Sequence, residues 1–233
     1  MAQQLNGKRV AIVVTDGFEQ DELEKPRRAL EEAGAKTEVI SPKAGKVRGW
    51  KHTDWGTEIV VDRVVTQADP NEYDALLLPG GQMNPDNLRM DKGAVAFIES
   101  FVRSGKPIAA ICHGPLTLIE ADGVRGRRMT SYPSIKTDLR NAGADWVDEE
   151  VVTDQGLVTS RKPDDIPAFN HKMIEEFAEG RHLIERKFGA GSSGKVTAEI
   201  REGTFAGSKL TPVDIENGKV VPGDTGDQGG GQN

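Results

Sequence analysis

A chain of 233 residues, 36% of them hydrophobic, is long enough for one substantial α/β domain with a sizeable core plus an appendage. Its formal net charge of −7 argues against unaided binding to nucleic acid or to an anionic membrane surface, because either would repel the surface as a whole. One cysteine excludes an internal disulfide, no apolar run approaches the roughly 20 residues that span a bilayer, and no secretory signal pattern opens the chain, so a cytoplasmic location is expected.

The β-branched apolar run from Lys8 to Val14 predicts a buried first strand, and Thr15-Asp16-Gly17 a turn. A helical pattern follows from Gln20 to Ala33, with Leu23, Pro26, Leu30 and Ala33 roughly on one side, Gly34 closing it and Pro26 marking a kink or a late start. Lys36 to Ile40 is the second strand, and the strand, helix, strand succession opens a parallel sheet. Ser41 to Asp54 is polar and reads as a loop. Its Trp50 and His52, with Trp55 just beyond, suit side chains packed over a sheet edge better than a ligand pocket. Thr57 to Asp62 alternates like a strand with one wet face, and Asp74 to Leu78 is the third parallel strand.

That strand ends in Pro79-Gly80-Gly81, glycines that can turn backbone N–H groups toward the crevice at the carboxyl end of the sheet or simply make a tight turn. Gln82 to Asn87 reads as a loop carrying Asp86 within reach of an imidazole. Asp91 caps a helix with an Ala94, Phe97, Ile98, Phe101 and Val102 stripe, ended by Gly105.

Lys106 to Pro115 is then a short buried strand, a sharp turn holding the sole cysteine, and the start of a helix at Pro115. Such an elbow needs small residues two before and two after its central residue, and Ala110 and Gly114 meet that need. Helix N–H groups aimed at Cys112 should stabilise a thiolate and lower the thiol pKa, and His113 supplies a base. Elsewhere a lone cysteine is commonly a small buried hydrophobe.

Past the elbow, Arg125, Arg127 and Arg128 read as a solvated basic face, Ser134 to Asn141 as a helix, and Val151–Thr153 with Leu157–Thr159 as a hairpin. The last strong helix starts at Pro163 and runs through Phe169, Met173 and Phe177 to Gly180. Gly189 to Gly194 is a linker, and the remainder is too poor in apolar residues for a core of its own. Strand hints at Val196, Ile200 and Phe205 suggest a partly ordered arm. The division expected is a domain over 1–186 and an extension over 187–233. The four histidines are scattered without metal-ligand spacing, so no metal and no cofactor is expected.

Several motifs occur together in order: Gly17-Phe18-Glu19, Leu78-Pro79-Gly80-Gly81, Ala110-Ile111-Cys112-His113-Gly114-Pro115, Gly126-Arg127 and Thr130-Ser131-Tyr132-Pro133. In these the chain resembles, over residues 7–180, the PfpI family of intracellular cysteine proteases. Their superfamily includes the parkinsonism-associated deglycase and is related to class I glutamine amidotransferase domains. The resemblance implies an α/β flavodoxin-like three-layer sandwich with a mostly parallel central sheet, assembled as a homodimer or homohexamer. It implies Cys112 as nucleophile, His113 as its partner, and Glu19 protonated by burial and donating to the sulfur. It sets an acid of a neighbouring subunit, here Asp86, against His113. Gly80, Gly81, Gly114 and Tyr132 line the binding and oxyanion region. The activity implied is stress-response hydrolysis of peptidase, glyoxalase or deglycase type on small aldehydes, peptides or glycated proteins. A non-catalytic redox sensor or chaperone using the same cysteine, and an inactive binding scaffold, are the alternatives.

Overall fold

A computed structural model describes residues 4–182, together with 213–216 and 219–222. In chain order the elements are β1 (Arg9–Val13), β2 (Phe18–Glu19), α1 (Gln20–Glu32), β3 (Lys36–Ser41), β4 (Lys46–Lys51), β5 (Asp54–Val60), β6 (Arg63–Val64), β7 (Ala75–Leu78), α2 (Met83–Leu88), α3 (Lys92–Ser104) and β8 (Ile108–Ile111). They continue with α4 (Pro115–Glu120), β9 (Arg128–Met129), α5 (Lys136–Asn141), β10 (Asp145–Trp146), β11 (Val151–Asp154), β12 (Leu157–Ser160) and α6 (Ile166–Glu179).

The central sheet runs β11-β12-β8-β7-β1-β3-β6, and every neighbouring pair is parallel except β11 with β12. Its middle strands are apolar on both faces, and strand geometry divides them by parity. Val10, Ile12, Leu77, Ala109 and Ile111 pack with Leu23 and Leu30 of α1 and Phe169, Met173 and Phe177 of α6. Their alternates Ala11, Val13, Leu76, Leu78, Ile108 and Ala110 pack on the other side, with Phe97 and Phe101 of α3 and Leu116 and Leu118 of α4. The result is the flavodoxin-like three-layer sandwich. Strand order reverses around β1, whose neighbours β3 and β7 belong to the two directions of winding, and the crevice at such a reversal is where open α/β sheets place ligands.

The α3 helix shows how local sequence and packing agree. Asp91 accepts the Ala94 N–H at 2.8 Å at its start, and Gly105 ends it in the left-handed conformation at φ 65°. Asp91→Ala is expected to cost about 1 kcal/mol, read as a lower denaturant midpoint at unchanged slope.

Four features depart from what the sequence led one to expect. Much of the stretch expected as a loop is strand β4, which pairs antiparallel with β5 and parallel with β2. Val47 and Gly49 face inward and the ring centroids of Trp50 and Trp55 meet edge-on at 5.4 Å, so the hairpin is held by packing that polar composition hides. Gln82–Asn87 largely folds into α2. There buried Asn84 donates to the carbonyls of Pro79 and Gly80 at 2.9 and 3.1 Å and accepts the Thr15 N–H at 2.8 Å. Arg127 is buried, not solvated, and its Nε lies 3.2 Å from Asp154. Helix α1 continues through Pro26.

The chain divides into compact units of residues 1–188 and 189–233. Within the second, Val213–Glu216 (β13) pairs antiparallel with Lys219–Pro222 (β14). The strand hints at Val196, Ile200 and Phe205 lie outside the described residues. Among the described residues, no helix is long and apolar enough to cross a membrane.

Candidate active site

The site forms where β7 and β8 end. Cys112, first residue after β8, sits at φ 63°, a conformation costly for a side-chain-bearing residue and typical of a strand-to-helix elbow. Three backbone bonds over-determine it: Cys112 N–H to Ser160 O at 2.9 Å, Tyr132 N–H to Cys112 O at 2.9 Å, and Gly114 N–H to Ile111 O at 2.9 Å. Gly114 is small of necessity, since a Cβ there would lie 2.5 Å from Leu78 O and 2.9 Å from Ile111 O. Gly80 is equally constrained, with a Cβ 2.7 Å from that of Cys112.

The carboxyl against the sulfur belongs to Glu22, which corrects the assignment of that place to Glu19. Glu22 is fully buried, its Oε2 accepts the Gly80 N–H at 2.9 Å, and its carboxyl lies against the Cys112 side chain. Burial raises its pKa from 4.5 to about 8, so it holds its proton at neutral pH. Oε1 is buried without a hydrogen-bond partner. Glu19 instead occupies the N-cap position of α1, half-buried, with its extended backbone paired to Trp50. Burial and then the charge of Asp21 raise its pKa also. The reason is geometric: α1 buries the face bearing Glu22, Leu23, Pro26 and Leu30, and Glu19 precedes the helix.

Around Sγ the backbone N–H groups of Gly81 and His113 donate and pull the thiol pKa down. Burial pushes it up more strongly, and an ionised Glu22 would push it further, so the simple lowering expected from the elbow is not what the site produces. A protonated Glu22 removes that repulsion and donates instead. The pair therefore carries at most one negative charge, with the proton on the acid when the charge is on sulfur. Cys112 is 7% exposed.

His113 Nδ1 lies 3.2 Å from Sγ, and Nε2 lies 3.0 Å from Ser134 Oγ. Its ring stacks on Tyr132 with centroids 4.8 Å apart, and burial lowers its pKa, so the imidazole is neutral at pH 7 and free to accept a proton. Ser134, Asn84 and Glu22 are the site residues that sequence reasoning missed. Of these only Glu22 carried a signal, as an acid on an apolar helix stripe. Asp86 lies on the exposed side of α2. Among the described residues, the imidazole's hydrogen-bond partners are Cys112 and Ser134.

Fold and site together define an α/β sandwich carrying a cysteine at a nucleophile-type elbow, with a buried acid on one side and an imidazole on the other. Comparison with known proteins places it more closely: the sequence pattern of the DJ-1/PfpI family matches residues 8–176. "Protein/nucleic acid deglycase 2" of Escherichia coli (strain K12) is 46% identical over 169 residues, covering 72% of this chain and 96% of that protein. "General stress protein 18" of Bacillus subtilis (strain 168) is 47% identical over 170 residues, covering 72% and 96%. Among solved structures, a two-domain Anabaena variabilis protein with DJ-1/ThiJ/PfpI-like and ferritin-like domains aligns with TM-score 0.68 and 36% identity. That alignment covers 72% of this chain and 47% of the larger one. The chain belongs to the DJ-1/PfpI family.

Proposed function

We propose that the protein is a cysteine-dependent, stress-related hydrolase of this family, acting on carbonyl substrates in the cytoplasm as a deglycase, glyoxalase or peptidase. The observation that carries the reading is the contact of 3.2 Å between Cys112 Sγ and His113 Nδ1 at the positive-φ elbow, which pairs a nucleophile with a base.

In the proposed step, Sγ forms a bond to the carbonyl carbon while its proton passes to His113 Nδ1, and the carbonyl π pair moves onto oxygen. The product is a hemithioacetal with an aldehyde, or a tetrahedral adduct with an amide. Donors placed like the N–H groups of Gly81 and His113 hold such an oxyanion, each worth about 3 kcal/mol in well-studied enzymes. His113 then returns the proton to the oxyanion or to the leaving amine. Glu22 keeps a proton beside the sulfur so that no second negative charge opposes the thiolate, and Ser134 Oγ can accept from Nε2–H in the tautomer that leaves Nδ1 unprotonated. Gly80 and Gly114 allow the backbone to close around the sulfur, and Tyr132 walls the imidazole. We assign assembly to a homodimer or homohexamer, in which Asp86 of one copy approaches the His113 of another, and residues 187–233 to an accessory arm of the 1–186 domain.

The test is turnover by the full chain of methylglyoxal, a glycated peptide and unmodified peptides, before and after alkylating its one cysteine with one equivalent of iodoacetamide. Turnover of at least one class, lost in step with alkylation, is expected. A chain that peroxide oxidises at Cys112 but that turns over none of the three overturns the hydrolase reading in favour of a redox sensor.

A further inference from the structure

Helix α6 stops at Glu179, and the chain turns at Gly180 (φ 88°) and comes back over the helix end. Glu176 and Glu179, three residues apart, share one helical face, and the turn brings His182 to them. The donor atoms of these three side chains all lie within 4.8 Å of one another. Glu176 Oε2 is 3.2 Å and Glu179 Oε2 4.0 Å from His182 Nε2.

The imidazole is held there from outside the cluster. His182 N–H donates to Gly105 O at 2.9 Å, and the ring packs over Gly156, where a Cβ would lie 2.6 Å from its Cδ2. Two glycines in left-handed conformations, on the α3 cap and on the β11–β12 turn, thus make room for one histidine.

What this arrangement lacks is hydrogen bonding. The Glu176 side chain is nine-tenths buried and points into the cluster, yet Oε2 has no hydrogen-bond partner, and neither does the buried Nε2 of His182 facing it. With Glu176 ionised, a protonated Nε2 would be misaligned for the oxygen 3.2 Å away, and an unprotonated one would set two lone pairs against each other. A cation between them satisfies both. Tetrahedral coordination at about 2.0–2.2 Å separates ligand atoms by about 3.3–3.6 Å, which the two distances to Nε2 bracket. The carbonyl end of a 14-residue helix adds a favourable field for positive charge.

We propose that Glu176, Glu179 and His182 form a site for one divalent cation of borderline class, such as Zn²⁺ or Co²⁺. One imidazole nitrogen and two carboxylate oxygens suit these ions better than Cu⁺, which favours sulfur, or Mg²⁺, which favours oxygen throughout. Three protein ligands leave a fourth position for water. The site is separate from Cys112. Its role is to tie the end of α6 to the α3 cap and the β11–β12 turn. The sequence carries no sign of it, because two of its donors are carboxylates among 37 acidic residues and the histidines are scattered.

The test is calorimetric titration of the metal-free full chain with Zn²⁺, with Co²⁺ absorption as a second readout and Cys112→Ala as the control for the thiol. One equivalent is expected to bind, with a raised melting temperature and no change in Cys112→Ala. His182→Ala and Glu176→Gln should each weaken binding at least about tenfold. Glu179→Gln, at a half-exposed position where folding is not at stake, should weaken it several-fold. Absence of saturable uptake by the full chain, uptake unchanged in Glu179→Gln and His182→Ala, or uptake lost in Cys112→Ala would each overturn the proposal.

Discussion

Replacing Cys112 with alanine is expected to reduce turnover at least about 10³-fold, to the level of the background reaction, while the fold survives. The substitution removes the atom that bonds to the carbonyl, and neither Glu22 nor His113 can replace it: one is a protonated acid and the other a neutral base held against the vacated place. Folding should be little affected. The bonds from Ser160 O, Tyr132 N–H and Gly114 N–H that shape the elbow are made by backbone, and alanine keeps them. Loss of one buried sulfur costs about 1 kcal/mol. Assay of both chains with methylglyoxal and peptides, alongside circular dichroism, separates the effects; a folded variant that retains turnover shows that the sulfur is not the nucleophile.

The second large effect concerns Glu22 and pH. Its carboxyl rises from 4.5 to about 8 on folding, so between those values the native chain binds a proton that the unfolded chain has released. Stability linked to this group is therefore fully present below about pH 4.5 and declines as pH rises, by about 1.4 kcal/mol per unit, until it levels off above about pH 8. Glu22→Gln removes the titration and keeps the shape: the amide oxygen can accept the Gly80 N–H and the amide nitrogen can donate to the sulfur. Relative to wild type the variant should gain stability steadily across that window, by about 5 kcal/mol in all. The same variant should retain turnover within about tenfold, because a donor remains beside the sulfur, whereas Glu22→Leu, which strands the Gly80 N–H and offers no donor, should lose about 100-fold or more. Denaturant curves at several pH values check the first part. A difference between Glu22→Gln and wild type that stays flat from pH 4.5 to 8 would show that the buried acid ionises normally and that the proton assigned to it is absent.

Much of the architecture could be read from one dimension because its signals are local. Buried parallel strands are uninterrupted apolar runs, as at residues 10–13 and Ala75–Leu78; α3 carries its own stripe, N-cap and terminal glycine; and the β11–β12 hairpin surrounds the Gln155-Gly156 turn. The elbow was legible for the same reason, since its steric demands fall on residues two positions from Cys112. What failed to show was everything fixed by a partner far along the chain. The β4–β5 hairpin is polar in composition and is held by cross-strand tryptophans and a buried valine. Arg127 looks like a solvated charge until Asp154, 27 residues on, closes over it.

The site divides along the same line. The sequence by itself determined that one sulfur sits at the end of a central strand, with a histidine beside it and glycine-rich turns near it, because covalent neighbours and strand-to-helix sterics leave no other arrangement. Only the tertiary structure decided which acid of Glu19-Gln20-Asp21-Glu22 meets that sulfur. All are within one turn of α1, and the choice depends on how the helix lies across Gly80: the buried face carries Glu22 into a dry contact where its proton is kept, and leaves Glu19 at the helix entrance.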